Sequence, residues 1–462
     1  MTPKHDIRQT ADPRRLAVDI LNRVEERNAY AEPLLDHSLS RRLHHDPRGR
    51  RLVTQIVLGT LRQRGYLDWV IARFYRGPFD AMATGLKNTL RAALYQIFFM
   101  DRLPAHAVVN ASVGIAESCF RGRGALVNAL LRRSIRERND IHLPDRNRDA
   151  ALYLSVACSH PRWLVEKWIA LFGEEETERL CLANNMIPPV TVRVNSLKTT
   201  RHALLEEMNG RDWEAEAAVY ARDAILMKRP ACPVRETSWF REGKIQLQDE
   251  GSQLVSLFTD PHPEETILDL CAGTGGKTTH LAALIRDRGS ITALDVAAAK
   301  LDSLRQMSER LGATCIRTLC RDGRTAPPDS CRETFDLVLV DAPCTGLGTL
   351  RRNPEIKWRL SPKDILQTLP LQRDLLDGAA AYLRTGGLLI YSTCSVLPEE
   401  NEEQASAFLT RHREFRPETS PDGILPECLD EKSFLKMQPH RHGTDGFFAV
   451  RFRKILPAPG VP

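Results

Sequence analysis

The sequence lacks any apolar run that approaches the roughly 18 residues needed for a membrane-spanning helix. Its start, MTPKHDIRQTADPRR, is basic but has no apolar stretch of the kind found in secretion signals, which favours a cytosolic protein. The 11 cysteines are scattered and include no Cys-x-x-Cys pair, which disfavours both a zinc site and a disulfide framework. We expect a monomer with neither a membrane nor a metal ion as partner.

A strong net charge is also lacking, since the chain carries only +6. The charge is unevenly distributed, because residues 1–150 hold 26 Lys and Arg against 16 Asp and Glu, and the remainder carries about −4. A basic N-terminal part joined to a mildly acidic body indicates a nucleic-acid partner for the first part. The alternative is a solvated helical surface that is rich in arginine.

At 462 residues the chain is too long for one hydrophobic core, and its patterns divide it into three parts. Residues 1–140 have apolar positions at helical spacing, which predicts an all-α domain. Residues 150–245 mix helical stretches with short strands, which favours a small α+β module. Residues 246–455 repeat the order strand, loop, helix, which is typical of a doubly wound, mostly parallel α/β sheet. The last strand-like stretch, FFAVRFRK, is expected at the sheet edge.

A glycine-rich segment follows the first strand of the α/β part, in TILDLCAGTGGKTTHLAALI. Its Gly-Lys-Thr ending resembles a phosphate-binding P-loop, but that loop requires glycine where Cys271 stands. A P-loop NTPase is thus disfavoured, and the first turn of a Rossmann-like fold fits better. The residues assigned to this cofactor loop are Cys271, Ala272, Gly273, Thr274, Gly275, Gly276 and Lys277.

Acidic residues end the strands that follow. Asp295 lies 26 residues after Asp269, where a carboxylate can accept hydrogen bonds from ribose hydroxyls. Asp322, in CRDGR, is placed to bond an adenine amino group. This set predicts an adenosine-bearing cofactor, and S-adenosyl-L-methionine fits better than NAD because the full Gly-x-Gly-x-x-Gly is absent. The alternative is a structural tight turn with two helix-capping acids.

Two cysteines follow buried strands of the same sheet. Asp341 and Cys344 come at the end of FDLVLVDAPC, and Cys394 comes directly after GGLLIYST. Because ligands bind outside the carboxyl ends of the strands in an open α/β sheet, we expect both thiols near the glycine loop. The alternative for each thiol is that of a small packing residue.

The segments CAGTGGKTTHLA, DAPCTGLGTLRRNPEIKW and YSTCSVLPEENE resemble consecutive signatures of the Sun/Fmu/NSUN family of RNA cytosine-C5 methyltransferases. Further similarities are SHPRWLVEKW, TVRVNSLK, LQDEGSQLV and GTDGFFAVRF, so the resemblance covers nearly the whole chain. Residues 1–140 resemble the NusB-like RNA-binding domain of the family's bacterial 16S rRNA members. The resemblance implies methylation of a 16S rRNA cytosine; a tRNA or another rRNA site, or a non-catalytic RNA-binding or assembly factor, are the alternatives.

By the same resemblance, Cys394 is similar to the nucleophile of the family and Cys344 to the cysteine that assists product release. A thiolate that adds to C6 of cytosine makes C5 able to attack an electrophilic methyl group. Asp341 is expected to hydrogen-bond the pyrimidine and to belong to the cofactor site as well. The family loop usually reads Cys-Ala-Ala-Pro-Gly-Gly-Lys, and Gly273-Thr274 here predict a less rigid turn.

Basic residues follow Cys344 directly, and we expect them to contact phosphates that flank the target base. They are Arg351, Arg352 and Lys357. We expect Trp358 to pack rather than to stack on a base. The basic N-terminal helices are expected to add salt-sensitive contacts with the RNA backbone.

Overall fold

The computed structural model describes residues 12–455, except 121, 212, 229 and 231. These residues form two compact units. Unit 1 runs to Met186 and also contains Leu350–Arg359. Unit 2 holds Ile187–Thr349 and the chain from Leu360 onward. Residues 150–186 thus belong to the same compact unit as the N-terminal helices. The division into three parts that the sequence patterns indicate stays a prediction.

The helices are α1 (Pro13–Arg27), α2 (Ala31–Arg42), α3 (Pro47–Arg62), α4 (Arg64–Phe74), α5 (Thr84–Phe99), α6 (Ala105–Cys119), α7 (Gly124–Arg136), α8 (Ala150–Ala157), α9 (Arg162–Phe172), α10 (Glu174–Asn185), α11 (Arg201–Asn209), α12 (Ser238–Arg241), α13 (Glu250–Thr259), α14 (Gly276–Leu284), α15 (Ala298–Leu311), α16 (Ile356–Arg359), α17 (Pro362–Ala380), α18 (Glu402–Arg411) and α19 (Pro439–His442). The strands are β1 (Val190–Val194), β2 (Ala215–Ala217), β3 (Ala224–Met227), β4 (Ile245–Leu247), β5 (Thr266–Asp269), β6 (Ser290–Asp295), β7 (Ile316–Cys320), β8 (Phe335–Asp341), β9 (Leu383–Thr393), β10 (Phe415–Glu418), β11 (Leu435–Met437) and β12 (Phe447–Lys454).

Helix α1 illustrates how the sequence forms the helical unit. The Asp12 side chain accepts a hydrogen bond from the amide of Arg14 at 3.0 Å, and Pro13 opens the first turn, where its missing N–H is not needed. Leu16 and Ile20 recur at helical spacing and are buried in a core shared with α2 and α3. Over the described residues unit 1 contains no β-strand, which confirms the all-α prediction for the N-terminal part.

The small module opens unit 2 with a four-stranded antiparallel sheet of order β2-β3-β1-β4. Val192 of β1 lies opposite Ile225 of β3. Both side chains are buried in an apolar core with Leu204 of α11 and Trp239 of α12. Helices thus cover the sheet and give it a hydrophobic core, as an α+β module requires.

The second sheet of unit 2 has the order β7-β6-β5-β8-β9-β12-β10, with β11 paired to β12. The pairings from β7 to β9 are parallel, and those of β12 are antiparallel. This confirms the doubly wound, mostly parallel sheet. The expectation that FFAVRFRK forms the edge is wrong, because β12 lies between β9 and β10. Strand β10 is only four residues long and half exposed, too short for its pattern to be recognised in the sequence.

The strand order brings together three acidic residues at the carboxyl ends of neighbouring parallel strands. Asp269 ends β5, Asp295 ends β6 and Asp341 ends β8, and β5 lies between β6 and β8. Strand β9 pairs beside β8 and ends directly before Cys394. A crevice outside the carboxyl ends of parallel strands is where open α/β sheets bind ligands. The glycine loop after β5 therefore lies between two strand-end carboxylates.

Candidate active site

The glycine loop turns directly from β5 into α14. Gly275 has a φ of 93°, and a Cβ at this position would lie 2.6 Å from Cγ of Leu304 on α15, so the turn requires glycine here. Gly273 also has a positive φ, of 55°. A Cβ at Gly273 or Gly276, however, would meet nothing within 4 Å. One side of the loop thus packs on α15, and the other borders space that a ligand can fill.

Asp295 holds this loop from the neighbouring strand. Its Oδ2 accepts a hydrogen bond from the amide of Gly273 at 3.0 Å, and its Oδ1 accepts one from the amide of Ala297 at 2.8 Å. Because each carboxylate oxygen has a second lone pair, Asp295 can also accept from ribose hydroxyls. Its predicted role is compatible with this position.

Asp322 is engaged differently. The amide and Nε of Arg324 both donate to its Oδ1 at 3.0 Å, and Nη2 donates to Oδ2. Hydrogen bonds from Arg324 lower the pKa of Asp322, so the carboxylate is ionised at neutral pH. An adenine amino group would therefore share this carboxylate with a guanidinium, which the sequence pattern did not indicate.

A partly buried ion pair connects the glycine loop to the end of β8. Lys277 Nζ donates to Asp341 Oδ2 at 2.6 Å, and the hydroxyl of Ser392 donates to Oδ1 at 2.8 Å. Burial acts to lower the pKa of Lys277, but the adjacent Asp341 outweighs it and leaves the pKa raised, with a further contribution from Cys394. The ammonium is therefore charged at neutral pH. Sequence analysis named both members but did not predict that they pair.

The two candidate thiols lie together, with 3.3 Å between Sγ of Cys344 and Sγ of Cys394. The Gly348 amide donates to the carbonyl of Cys394 at 2.9 Å, and the Gly446 amide donates to the carbonyl of Gly348 at 2.8 Å. A Cβ at Gly348 would lie 2.2 Å from the Gly446 oxygen, so this approach requires glycine. The Pro-Cys turn, the Thr-Cys turn and the GTDG segment thus meet at one place. The hydrogen bond to Cys394, and then burial, raise the pKa of Cys344.

Arg193 is a site residue to which sequence analysis gave no role. It lies in β1 of the small module and is fully buried; its Nη1 donates to the carbonyl of Gly276 at 2.6 Å and its Nη2 to Oγ1 of Thr279 at 3.0 Å. Burial lowers the pKa of Arg193 to about 9, which still leaves it a cation at neutral pH. The small module therefore fixes the first turn of α14. The only sequence signal was the family signature TVRVNSLK.

Comparison with known proteins identifies the family. The family described as 16S rRNA methyltransferase RsmB/F matches residues 256–453, the NusB family matches 11–136, and the RsmF/B-like ferredoxin-like domain matches 160–235. The probable ribosomal RNA small subunit methyltransferase B of Bacillus subtilis (strain 168) is 35% identical over 446 residues, covering 96% of this chain and 98% of that protein. The chain belongs to the RsmB/F family of 16S rRNA methyltransferases.

One further relative and one solved structure are similar to this chain over most of its length. The ribosomal RNA small subunit methyltransferase B of Pseudomonas putida (strain KT2440) is 34% identical over 418 residues, which is 90% of this chain and 93% of that protein. The crystal structure of the protein PH0851 superposes with a TM-score of 0.81 at 30% identity, covering 96% of this chain and 99% of that chain. The similarity therefore spans both compact units.

S-adenosyl-L-methionine is the cofactor of this family. The residues of this chain fit S-adenosyl-L-methionine. The loop backbone at Gly273 and Gly276 borders open space, and Asp295, beside the loop, can accept further hydrogen bonds. The expectation that Gly273-Thr274 weaken preorganisation stays a prediction. Among the described residues there is no group of three or more His, Cys, Asp or Glu side chains that could hold a metal ion. In the same part of the chain, no helix has the length and apolarity to cross a membrane.

The basic segment after Cys344 differs from its predicted role as a phosphate-binding surface. It belongs to unit 1, where Lys357 is 1% exposed and Arg351 is 3% exposed. The expectation that these two side chains contact phosphates is therefore wrong, because both are buried. Arg352 is half-buried, and its role stays a prediction. Trp358 packs as predicted, and its Nε1 donates to the carbonyl of Leu61 at 2.7 Å.

Proposed function

We propose that the chain transfers a methyl group from S-adenosyl-L-methionine to C5 of a cytosine in 16S rRNA, as an enzyme of the cytosine-967 type. The observation that carries this proposal is the 3.3 Å separation between the sulfurs of Cys344 and Cys394. Both thiols follow strands whose carboxyl ends lie on the same side of the sheet as the glycine loop. A binding protein has no need of two thiols in contact beside a cofactor loop. The rRNA substrate is supported by the names of the relatives, and with it we propose a cytoplasmic location.

Cys394 is the nucleophile in this proposal. Its thiolate adds to C6 of the base, forming an S–C bond and placing electron density on C5. S-adenosyl-L-methionine supplies the electrophilic methyl group that C5 takes up. A base then removes the C5 proton, the S–C bond breaks, and its electron pair returns to the sulfur of Cys394.

Charges in the site favour this assignment of roles. The Lys277 ammonium that pairs with Asp341 also interacts electrostatically with Cys394. Asp341, held by Lys277 and Ser392, has a fixed orientation from which it can hydrogen-bond the pyrimidine. Such a target base must be unpaired or flipped out of its helix, because a stacked base cannot reach a half-buried sulfur.

A covalent-trap experiment tests the reaction and the nucleophile together. Purified protein is mixed with S-adenosyl-L-methionine and a 16S rRNA fragment that carries 5-fluorocytosine, whose C5 has no proton to lose. Denaturing gels then measure the protein–RNA adduct for the wild type and for the Cys344→Ala and Cys394→Ala variants. Cys119→Ala is the matched control, because that thiol is exposed on α6 in unit 1.

We expect the adduct to persist in the Cys344→Ala and Cys119→Ala variants and to vanish in Cys394→Ala. Loss in Cys344→Ala alone would reverse the roles of the two thiols. No adduct from the wild-type protein, with S-adenosyl-L-methionine bound in calorimetry, would favour a non-catalytic RNA-binding or assembly factor. Repetition with a tRNA and with other rRNA fragments tests the choice of substrate.

A further inference from the structure

A buried carboxylate lies behind the turn that carries Cys344. Glu400 is fully buried, and its Oε1 accepts a hydrogen bond from the amide of Thr345 at 2.9 Å. Its Oε2 accepts a second from the hydroxyl of the same residue at 2.5 Å. Because Thr345 directly follows Cys344, these two bonds fix the chain on one side of the thiol.

Helix α17 supplies two more donors to the same carboxylate. Oγ1 of Thr368 donates to Glu400 Oε1 at 3.0 Å and Nε2 of Gln372 donates at 3.1 Å. The Gln372 amide also donates to the carbonyl of Pro343 at 3.0 Å, on the other side of Cys344. The hydroxyl of Tyr391 donates to the backbone carbonyl of Glu400 at 2.6 Å and holds the acid in place. The Cys344 turn is therefore bound at both ends.

Among the described residues, the four groups that donate to this carboxylate are neutral, and none is a cation. Charge at Glu400 contributes to the raised pKa of Cys344, after the hydrogen bond with Cys394, burial and the charge of Cys394. Tyr391 also faces this site, and its own pKa is raised by burial and by the nearby negative groups. The Lys277–Asp341 pair lies towards Cys394. Glu400 thus lies behind Cys344 without a paired cation among its hydrogen-bond donors, whereas Cys394 lies near the Lys277–Asp341 ion pair.

We propose that Glu400 is a positioning residue that holds the Cys344 turn against Cys394 and keeps Cys344 as the neutral thiol of the pair. This inference rests on the proposed function for its catalytic meaning. Glu400 acts through Thr345 and Pro343. A neutral Cys344 donates a hydrogen bond to the sulfur of Cys394 as the S–C6 bond breaks, and no proton is transferred. The carboxylate therefore separates the roles of two otherwise similar thiols.

The first test measures the Cys344 thiol alone, without RNA. The rate of Cys344 alkylation by iodoacetamide is followed against pH by peptide mass spectrometry, in a Cys394→Ala background. Glu400→Gln keeps the size of the side chain and removes its charge, and we expect it to lower the pH midpoint by about one unit. Glu403→Gln is the matched control, an exposed acid three residues along the chain, and is expected to leave the midpoint unchanged. An unchanged midpoint in Glu400→Gln would overturn the charge part of the proposal.

The second test measures product release in proteins that retain Cys394. With ordinary cytosine RNA and S-adenosyl-L-methionine, we expect both Glu400→Gln and Cys344→Ala to accumulate about tenfold more covalent adduct than the wild type. Wild-type adduct levels in Glu400→Gln, with cofactor binding intact in calorimetry, would overturn the positioning role. If no variant forms an adduct, the proposed function fails, while the alkylation result still decides the charge of the thiol.

Glu400→Asp keeps the carboxylate on a shorter side chain and provides a second variant if the Gln variant does not fold. It is expected to keep the parental alkylation midpoint and still accumulate adduct, because the bonds to Thr345 are lost while the charge is kept. Wild-type adduct levels in this variant would contradict the positioning role, and a midpoint shifted as far as in a neutral variant would contradict the role of charge.

Discussion

Two lysines that are largely enclosed, Lys277 in unit 2 and Lys357 in unit 1, have opposite electrostatic environments. Lys277 contacts the carboxylate of Asp341 at 2.6 Å, and its pKa is raised in spite of burial. Lys357 donates to two neutral oxygens at 3.0 Å, the carbonyl of Arg62 and Oδ1 of Asn185. Burial lowers the pKa of Lys357 to about 7. The partner of the ammonium, rather than its burial, decides whether the lysine stays charged.

The two environments correspond to two functions. A permanently charged lysine beside a thiol and a cofactor loop can stabilise negative charge in a reaction. A lysine held only by neutral oxygens inside a helical unit connects α3 and α10 to the segment that follows Cys344. In the proposed function the same residue type therefore has a role in the reaction in unit 2 and a structural role in unit 1. This difference can be tested by removing each charge in turn.

Lys277→Met removes the charge from the site and keeps most of the side-chain volume. We expect kcat/KM for methylation to fall by about 100-fold or more, equivalent to about 2.7 kcal/mol, because Asp341 and the Cys394 thiolate both lose their cation. Transfer of a labelled methyl group from S-adenosyl-L-methionine to an rRNA fragment measures it. Lys363→Met, at an exposed position of α17, is the control and should retain full activity. A loss of less than threefold in Lys277→Met would remove this lysine from the mechanism.

Lys357→Met should change the pH dependence of stability rather than the chemistry. The folded pKa of about 7 lies below the unfolded value of 10.5, so between these pH values the unfolded chain binds more protons. The free energy of unfolding of the wild type should therefore rise relative to the variant from pH 7 to pH 9, by at most about 1.4 kcal/mol per pH unit. Below pH 7 the difference should be constant. Urea unfolding at pH 6, 7, 8 and 9 measures it.

The control for this dependence is Lys432→Met, at an exposed position, whose stability difference from the wild type should not vary with pH. A difference that also stays constant for Lys357→Met would mean that the two neutral oxygens keep the ammonium charged. In that case the contrast between the two lysines would disappear.

The sequence predicted the parts of the fold that depend on the spacing of apolar residues and on the glycine-rich or polar segments between them. Apolar spacing gave the helices of unit 1, and the strand, loop, helix repeat gave the parallel sheet. The glycine loop and the two cysteine turns could be located because each follows a buried strand. Short, polar elements were missed, and β10 is the example, since its four residues carry too little pattern to be recognised.

The sequence could not predict which polar side chains become buried partners. Glu400 stands in an acidic stretch, PEENE, that reads as solvated surface, yet four neutral donors enclose it. Arg351 and Lys357 resemble an RNA-binding cluster in the sequence, yet both side chains are buried. Such burial depends on contacts between residues far apart in the chain, which neither spacing nor composition encodes. Trp358 could be predicted to pack because an indole is largely apolar.

Trp358→Phe has the smallest expected effect and compares a part-buried hydrogen bond of unit 1 with an exposed one. It removes the Nε1 bond to the Leu61 carbonyl and keeps an aromatic ring, and we expect a loss of about 1 kcal/mol in the free energy of unfolding. Trp69→Phe is the matched control, because its Nε1 donates to the carbonyl of His142 at 3.1 Å in an exposed contact where water can replace it. That variant should change stability by less than about 0.5 kcal/mol. Equal losses from the two substitutions, measured by urea unfolding, would mean that the segment after Cys344 is no more firmly held than the protein surface.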